Sequence, residues 1–465
     1  MESSHILELK TLLGETRVLS EPDELSNYRF DRWVVKHLRN WRGDTVPAPG
    51  CVIRPDSTAQ VQAAVRFCNE RGVKLIPFGL GSGVCGGIEP AHDQVLIDMS
   101  AMNAVTEIDA TNLLATFEAG VRGIDAEHAV NERGLTIGHW PQSIEISSVG
   151  GWVSTRASGQ FSSAYGNIED MIYSLEAVLP NGNLVTLGKG PRAATGPDLR
   201  HIFIGAEGTM GIITKVTLSL RKQPEQRACS AYYVATMEDG FEVQRRIIQV
   251  GWEPPVMRLY DSSEVARLFT DHTYHEHCLL LMVHEGPLER VQVERDAIAR
   301  AISELAIPAS ASITEQWLER RNHVPEWTDL LQQGLIADTI EVSAKWSEIS
   351  SVYTQVVRAL ESVPYCVNAS AHSSHTYRSG INLYFTFACM PPSSDEMEAL
   401  YFESWDKAMN ATAAAGGSIA HHHGSGRLRR SYLHHDLGTS GLELLRNVKE
   451  AIDPEGIMNA GNLLE

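Results

Sequence analysis

Apolar positions three and four apart recur over residues 55–72, where Val61, Ala64, Val65 and Cys68 share one face of a helix. Ser57 and Thr58 suit its N-cap, and Gly72 stops it. A buried strand over residues 73–78 follows and runs straight into Gly79, Gly81 and Gly83. The same order returns at residues 123–140: a helix ending in Asn131-Glu132-Arg133-Gly134, the four letters that close the earlier helix, then the short apolar stretch 135–137. It delivers a second glycine-rich loop, GHWPQSIEISSVGGWVSTRASG, at residues 138–159. Further strands are expected at 95–98, 113–118, 175–179 and 184–187, the last two joined by the hairpin signal Pro180-Asn181-Gly182-Asn183. Residues 207–220 give a third glycine-punctuated entry to a strand, and residues 4–13 a helix stopped by Gly14.

After Pro224 the texture changes. Strands are expected at 230–235, 256–260, 278–284, 365–372 and 381–390, and helices at 240–250, 289–305 and 395–415. That alternation predicts a second α/β domain built on an antiparallel sheet. The chain divides into a helical segment 1–45, a first domain 46–224, a second 225–420 and a terminal segment 421–465.

Composition narrows the function. With 465 residues, 43% of them hydrophobic, the chain can bury more than one core. A formal net charge of -19 argues against a nucleic-acid partner, which calls for clustered Lys and Arg, and leaves a small-molecule substrate. No apolar run reaches the roughly 20 residues that span a bilayer, and the first residues lack signal-peptide architecture, so a cytoplasmic location is expected; a homodimer is compatible with all of this. Seven scattered cysteines without a CxxC pair read as free thiols.

The chemistry concentrates in two places. Residues 138–159 combine Gly150-Gly151 with Ser143, Ser147, Ser148, Ser154, Thr155 and Ser158 between the anchors Trp140 and Trp152, and Arg156 is their one cation. Glycines let a main chain approach a pyrophosphate and hydroxyls donate to it, so two such loops suit the two walls of one phosphate cleft; the same letters also suit an exposed loop. Neither GxxxxGK[ST] nor a helix-opening GxGxxG occurs. The other place is His421-His422-His423, followed by Arg427, Arg429 and Arg430. In an extended segment alternate side chains face opposite ways, so His421 and His423, or His422 alone, would line one pocket; a solvated turn is the other reading. The letters of residues 271–277 look metal-binding but predict an exposed loop.

Taken together, SIEISSVGGWVSTRASG, AYGNIEDM, GPRAATGPDLRH, GAEGTMGIITKVTL and GGSIAHHHGSGRLRR resemble the flavoprotein family of vanillyl-alcohol oxidase and the FAD-linked 2-hydroxy-acid dehydrogenases, most of all its alkyl-dihydroxyacetonephosphate synthase branch. The resemblance implies an α+β fold: a two-part PCMH-type FAD-binding domain under a cap that closes over the flavin, with the terminal segment returning to the site. It implies non-covalent FAD held by Pro77 and the loop Gly79, Leu80, Gly81, Ser82, Gly83, Val84 and Cys85. Pro141, Gln142, Ser143, Ile144, Ser147, Gly150, Gly151, Ser154, Thr155, Arg156 and Ala157 form a second set, and Glu207, Gly208, Gly211, Ile212 and Ile213 a third.

The catalytic positions it implies are His421, His422, His423 and Arg258, the last for a substrate carboxylate or phosphate unless it pairs with Asp261. Two departures separate this chain from the synthases. Asn382 stands where their acid/base tyrosine falls, with Tyr384 two residues on and on the same strand face, and no arginine stands at Trp327 or Thr328. No metal is assigned, although a site from His375, His422 and His423 can be drawn. The function implied is hydride transfer from a small hydroxylated, anionic, 2-hydroxy-acid-like substrate to flavin N5. The alternative is a redox-neutral, ether-forming exchange like that of the synthases.

Overall fold

The computed structural model describes residues 1–323 and 326–464. Two larger sheets and a two-stranded ribbon, Leu135–Thr136 with Arg221–Lys222, make the first unit. In one, Cys51–Ile53, Val95–Asp98 and Leu75–Phe78 run parallel, and Val18–Leu19 adds an antiparallel edge. The helix Thr58–Arg71 carries the chain from Cys51–Ile53 to Leu75–Phe78 on the far side of Val95–Asp98, the crossover that parallel strands require; Gly72 ends it in the left-handed region at φ 63°. The other is a five-stranded antiparallel sheet in the order Val105–Asp109, Leu114–Glu118, Ile212–Ser219, Ile172–Val178, Leu184–Leu187.

The second unit is one antiparallel sheet, with Thr376–Tyr377 appended to its Gly380–Cys389 strand. Its strand order is Ala306–Ala309, Gln226–Val234, Cys278–Gly286, Val256–Tyr260, Cys366–Ser373, Gly380–Cys389, Ile336–Lys345. Helices Met237–Gln249, Leu288–Ile302, Ile349–Glu361 and Met397–Ala414 each bury an apolar stripe against this unit. The strand Ile336–Lys345, absent from the sequence expectations, lies at the sheet's edge and pairs along its whole length with Gly380–Cys389.

Each unit has its own apolar core, and both ends of the chain are shared between the two. Leu9 and Leu13 pack into the first core, whereas Val34, Val35 and Leu38 pack into the second. Leu428 and Leu433 belong to the second, but Ile457 and Met458 return to the first, where Met458 bridges to Leu75. Residues 1–45 and 421–464 are therefore straps across the two units. Among the described residues, no helix is long and apolar enough to cross a membrane.

Candidate active site

Between the two units lies a cavity of about 970 Å³, at the upper end of the roughly 300–1,000 Å³ usual for ligand pockets. The first unit lines it with Pro77 and residues 79–85, with Pro141, Gln142, Ser143, Ser147, Gly150, Gly151, Ser154, Thr155 and Ala157, and with Glu207, Gly208, Gly211, Ile212 and Ile213. The two glycine-rich loops touch: a Cβ at Gly79 would lie 2.5 Å from the Ser148 hydroxyl. The cavity wall there is main chain, so the cradle fits a pyrophosphate and its residues suit FAD. Cys85 is packed inward, its sulfur 3.4 Å from an Arg429 nitrogen, and burial pushes its thiol well up.

Three placements differ from expectation. Residues 149–155 are not loop but a short helix, Val149–Thr155, whose Ser148 side chain accepts from Gly151 N at 3.2 Å. A glycine pair disfavours a helix, and tertiary packing overrides it: Gly150 sits where a Cβ would meet Ala119 at 2.7 Å, and buried Trp152 donates to Ser147 Oγ at 2.8 Å. Arg156 adopts φ 57° and turns away from the cavity to pair with Glu169 at 3.1 Å. Ile144 is fully buried in the first core and lines no part of the cavity.

Polar side chains rather than main chain build the cavity's other pole. Arg258, from Val256–Tyr260, and Tyr384, from Gly380–Cys389, both line it, as do His422 and His423. Residues 421–423 form a bend rather than a strand, which is why neighbouring histidines share the pocket while His421 leaves it to meet the Tyr377 hydroxyl at 2.7 Å. Asn382 is also off the cavity: the turn at Ser374 and His375 covers it, and its Oδ1 accepts both of their backbone N–H groups at 2.9 and 2.8 Å. It positions the turn.

The histidines divide into two groups. His375, His421 and His422 bring ligand nitrogens within 4.8 Å of one another, so His421 takes the place that sequence gave His423 in a drawn metal site. Burial keeps all three neutral, pushing His421 down to about 4 and the other two further below the ordinary value. His423 instead faces the Tyr384 hydroxyl with Nε2 at 3.3 Å. Its Nδ1 lies 2.9 Å from Glu341 Oε2, close enough for an ion pair but poorly aimed for a hydrogen bond.

Glu341 is the residue that sequence reasoning missed. It is fully buried on the edge strand, accepts the backbone N–H groups of His422 and His423 at 3.3 and 2.9 Å, and pairs with fully buried Arg429 at 2.6 Å. Burial opposes its charge, yet the Arg429 guanidinium holds it well below the usual carboxylate range. Its trace was an acid inside the alternating stretch 336–345, which reads as a strand once that stretch is recognised. Tyr384 also accepts from the Thr339 hydroxyl at 3.0 Å, and burial raises its phenol above the ordinary value.

Arg258 does not pair with Asp261, which caps the following helix through Glu264 N at 2.8 Å. Its guanidinium donates to the Tyr260 hydroxyl and to His372 Nε2, both at 2.8 Å. Burial, then Arg258 itself, pushes His372 down to about 4, so the ring accepts from Arg258 as a neutral imidazole. Trp327, which also lines the cavity, donates its indole N–H to Arg32 O at 2.8 Å. The expected loop 271–277 is largely exposed, with His272 reaching the cavity's edge.

Residues 49–188 match the model of an FAD binding domain, and residues 223–463 that of the C-terminal domain of FAD linked oxidases. The chain is 34% identical over 476 residues to the FAD-linked oxidoreductase YgcU of Escherichia coli (strain K12), covering 98% of this chain and 97% of that protein. It is 27% identical to glycolate oxidase subunit GlcD of Bacillus subtilis (strain 168), covering 89% of each. A solved alkyldihydroxyacetonephosphate synthase superposes with a TM-score of 0.81 at 26% identity, over 99% of this chain and 85% of that one.

Proposed function

The chain belongs to the FAD-linked oxidases, and from that premise we propose that it oxidises a small 2-hydroxy-acid-like anion at its CH–OH carbon. The observation that carries this reading is Arg258: it faces the cavity, its donors rest on a phenol and an imidazole, and among the described residues it has no carboxylate partner. A guanidinium so placed lacks an anion, and its fork matches a carboxylate bidentately. Glycolate oxidase among the relatives supports the same substrate class.

Bound FAD supplies the hydride acceptor. Arg258 holds the carboxylate and so fixes the adjacent hydroxyl beside Tyr384 and His423. The substrate hydroxyl gives its proton to the Tyr384 oxygen as the phenol passes its own to His423 Nε2, leaving the tyrosine neutral throughout. Glu341, already ionised, stabilises the resulting imidazolium. The first unit's loops would hold the nucleotide, and the cap excludes water from the reacting pole.

The test is anaerobic mixing with a panel of 2-hydroxy acids and their uncharged alcohol counterparts. Bleaching of the flavin absorbance by acids alone is the expected result; bleaching by the alcohols equally well would sink it. The likeness to the synthase favours a second reading, redox-neutral exchange of an acyloxy for an alkoxy group, which would give product with no change in flavin absorbance.

A further inference from the structure

Two acceptors at one end of the cavity have no role in the reading above. Asp31, from the N-terminal strap, is 3% exposed; its Oδ1 takes the Trp33 N–H at 3.0 Å, whereas its Oδ2 has no hydrogen-bond partner. That oxygen lies 3.4 Å from where a Cβ on Gly83 would stand, so it faces the first glycine-rich loop, to which the strap is joined by Arg32 N donating to Gly83 O at 2.8 Å. Asn459, from the C-terminal strap, is 2% exposed. Its Nδ2 donates to Gly87 O at 3.2 Å and Glu207 O at 2.8 Å. Two carbonyl partners settle which way the amide points, and its Oδ1 is left without a partner. Both residues line the cavity and adjoin Gly87, the Asp31 carboxylate standing beside the Gly87 and Ile88 N–H groups and the Asn459 amide on Gly87 O.

We infer that Asp31 and Asn459 form an acceptor pair that takes sugar or ribityl hydroxyls of the bound flavin nucleotide at the Gly87 end of the cavity. A buried acceptor without a donor is costly, and two at one end of the same cavity call for a ligand that brings O–H groups there. A phosphate does not fit: it would face Asp31 and the buried carboxylate of Glu207, which also lines this end. Burial, with a smaller push from Glu207, already raises Asp31 to about 7, so a further anion would meet a site that disfavours charge. Phosphates therefore belong to residues 79–81 and 147–151, where the two loops meet, and hydroxyls to Asp31 and Asn459.

The inference rests on FAD being the ligand, and that premise fails separately, since the native apoprotein would then not bind FAD at all. The test titrates apoprotein with FAD and with two analogues, one lacking a ribityl hydroxyl and one lacking a hydroxyl of the adenosine ribose, read by flavin fluorescence. One analogue should bind native protein at least tenfold more weakly than FAD, and which one does so identifies the sugar. Asp31→Asn keeps the acceptor used by Trp33 but turns a donor toward the ligand. It should raise the FAD dissociation constant at least tenfold and bind the sensitive analogue no worse than FAD. Far-UV circular dichroism checks its fold, and should the variant not fold, the analogues on native protein decide alone. Binding of both analogues within twofold of FAD, or of FAD to folded Asp31→Asn within twofold of native, overturns the inference.

Discussion

The two poles of the cavity are made of different material. The phosphate cradle at the nucleotide pole is main chain brought close by glycine, and the acids Asp31 and Glu207 stand only at its Gly87 end. The reacting pole is charge: Glu341, Arg429, His423, Tyr384 and Arg258 come from three strands and a terminal bend, and the Glu341–Arg429 pair is completely buried. A pole built from backbone tolerates side-chain change and needs only that nothing be added to its glycines. A pole built from buried ions depends on each partner, because removing one leaves the other charged and without water.

That contrast orders the experiments. Glu341→Gln should be the most damaging, costing roughly 3–5 kcal/mol of stability by stranding Arg429 and lowering turnover at least about a hundredfold through His423; denaturant unfolding and steady-state kinetics check both. If it is mild, the reacting pole is no more fragile than the loops and the contrast fails. Tyr384→Phe should lower turnover by roughly 10²–10⁴ while leaving the flavin spectrum and melting temperature unchanged. FAD at a hundredfold excess over its dissociation constant should stabilise the apoprotein by about 2.7 kcal/mol, which thermal melts will show. Arg258→Met should cut kcat/KM for 2-hydroxy acids by about 10–100-fold and leave uncharged alcohols unaffected. Arg156→Ala should do least, within about 0.5 kcal/mol, with FAD affinity unchanged, because its partner Glu169 lies off the cavity.

The same contrast explains what could be read from sequence. Gly79, Gly81 and Gly83 announce themselves because a backbone approach demands that residue and no other, and the matching helix–strand–loop order brought two loops to one cleft as expected. The helix Val149–Thr155 was hidden because its glycines argue against helix, and the Ala119 that packs against Gly150 is distant in sequence. Glu341 was hidden because an acid in an alternating stretch looks solvated until the partner that buries it, Arg429, is placed beside it. Asn382 and Tyr384 share a strand face, yet a turn that no periodicity reveals covers the first and leaves the second open.

The return of the C-terminal strap to the first sheet has a consequence for biogenesis. Leu75 receives Met458 as a neighbour, and Asn459 ties Gly87 to Glu207, so the seat of the cofactor is stitched shut by residues made long after its glycine-rich loops. A polypeptide cut short before residue 457 should therefore hold FAD more weakly while keeping every glycine-rich loop.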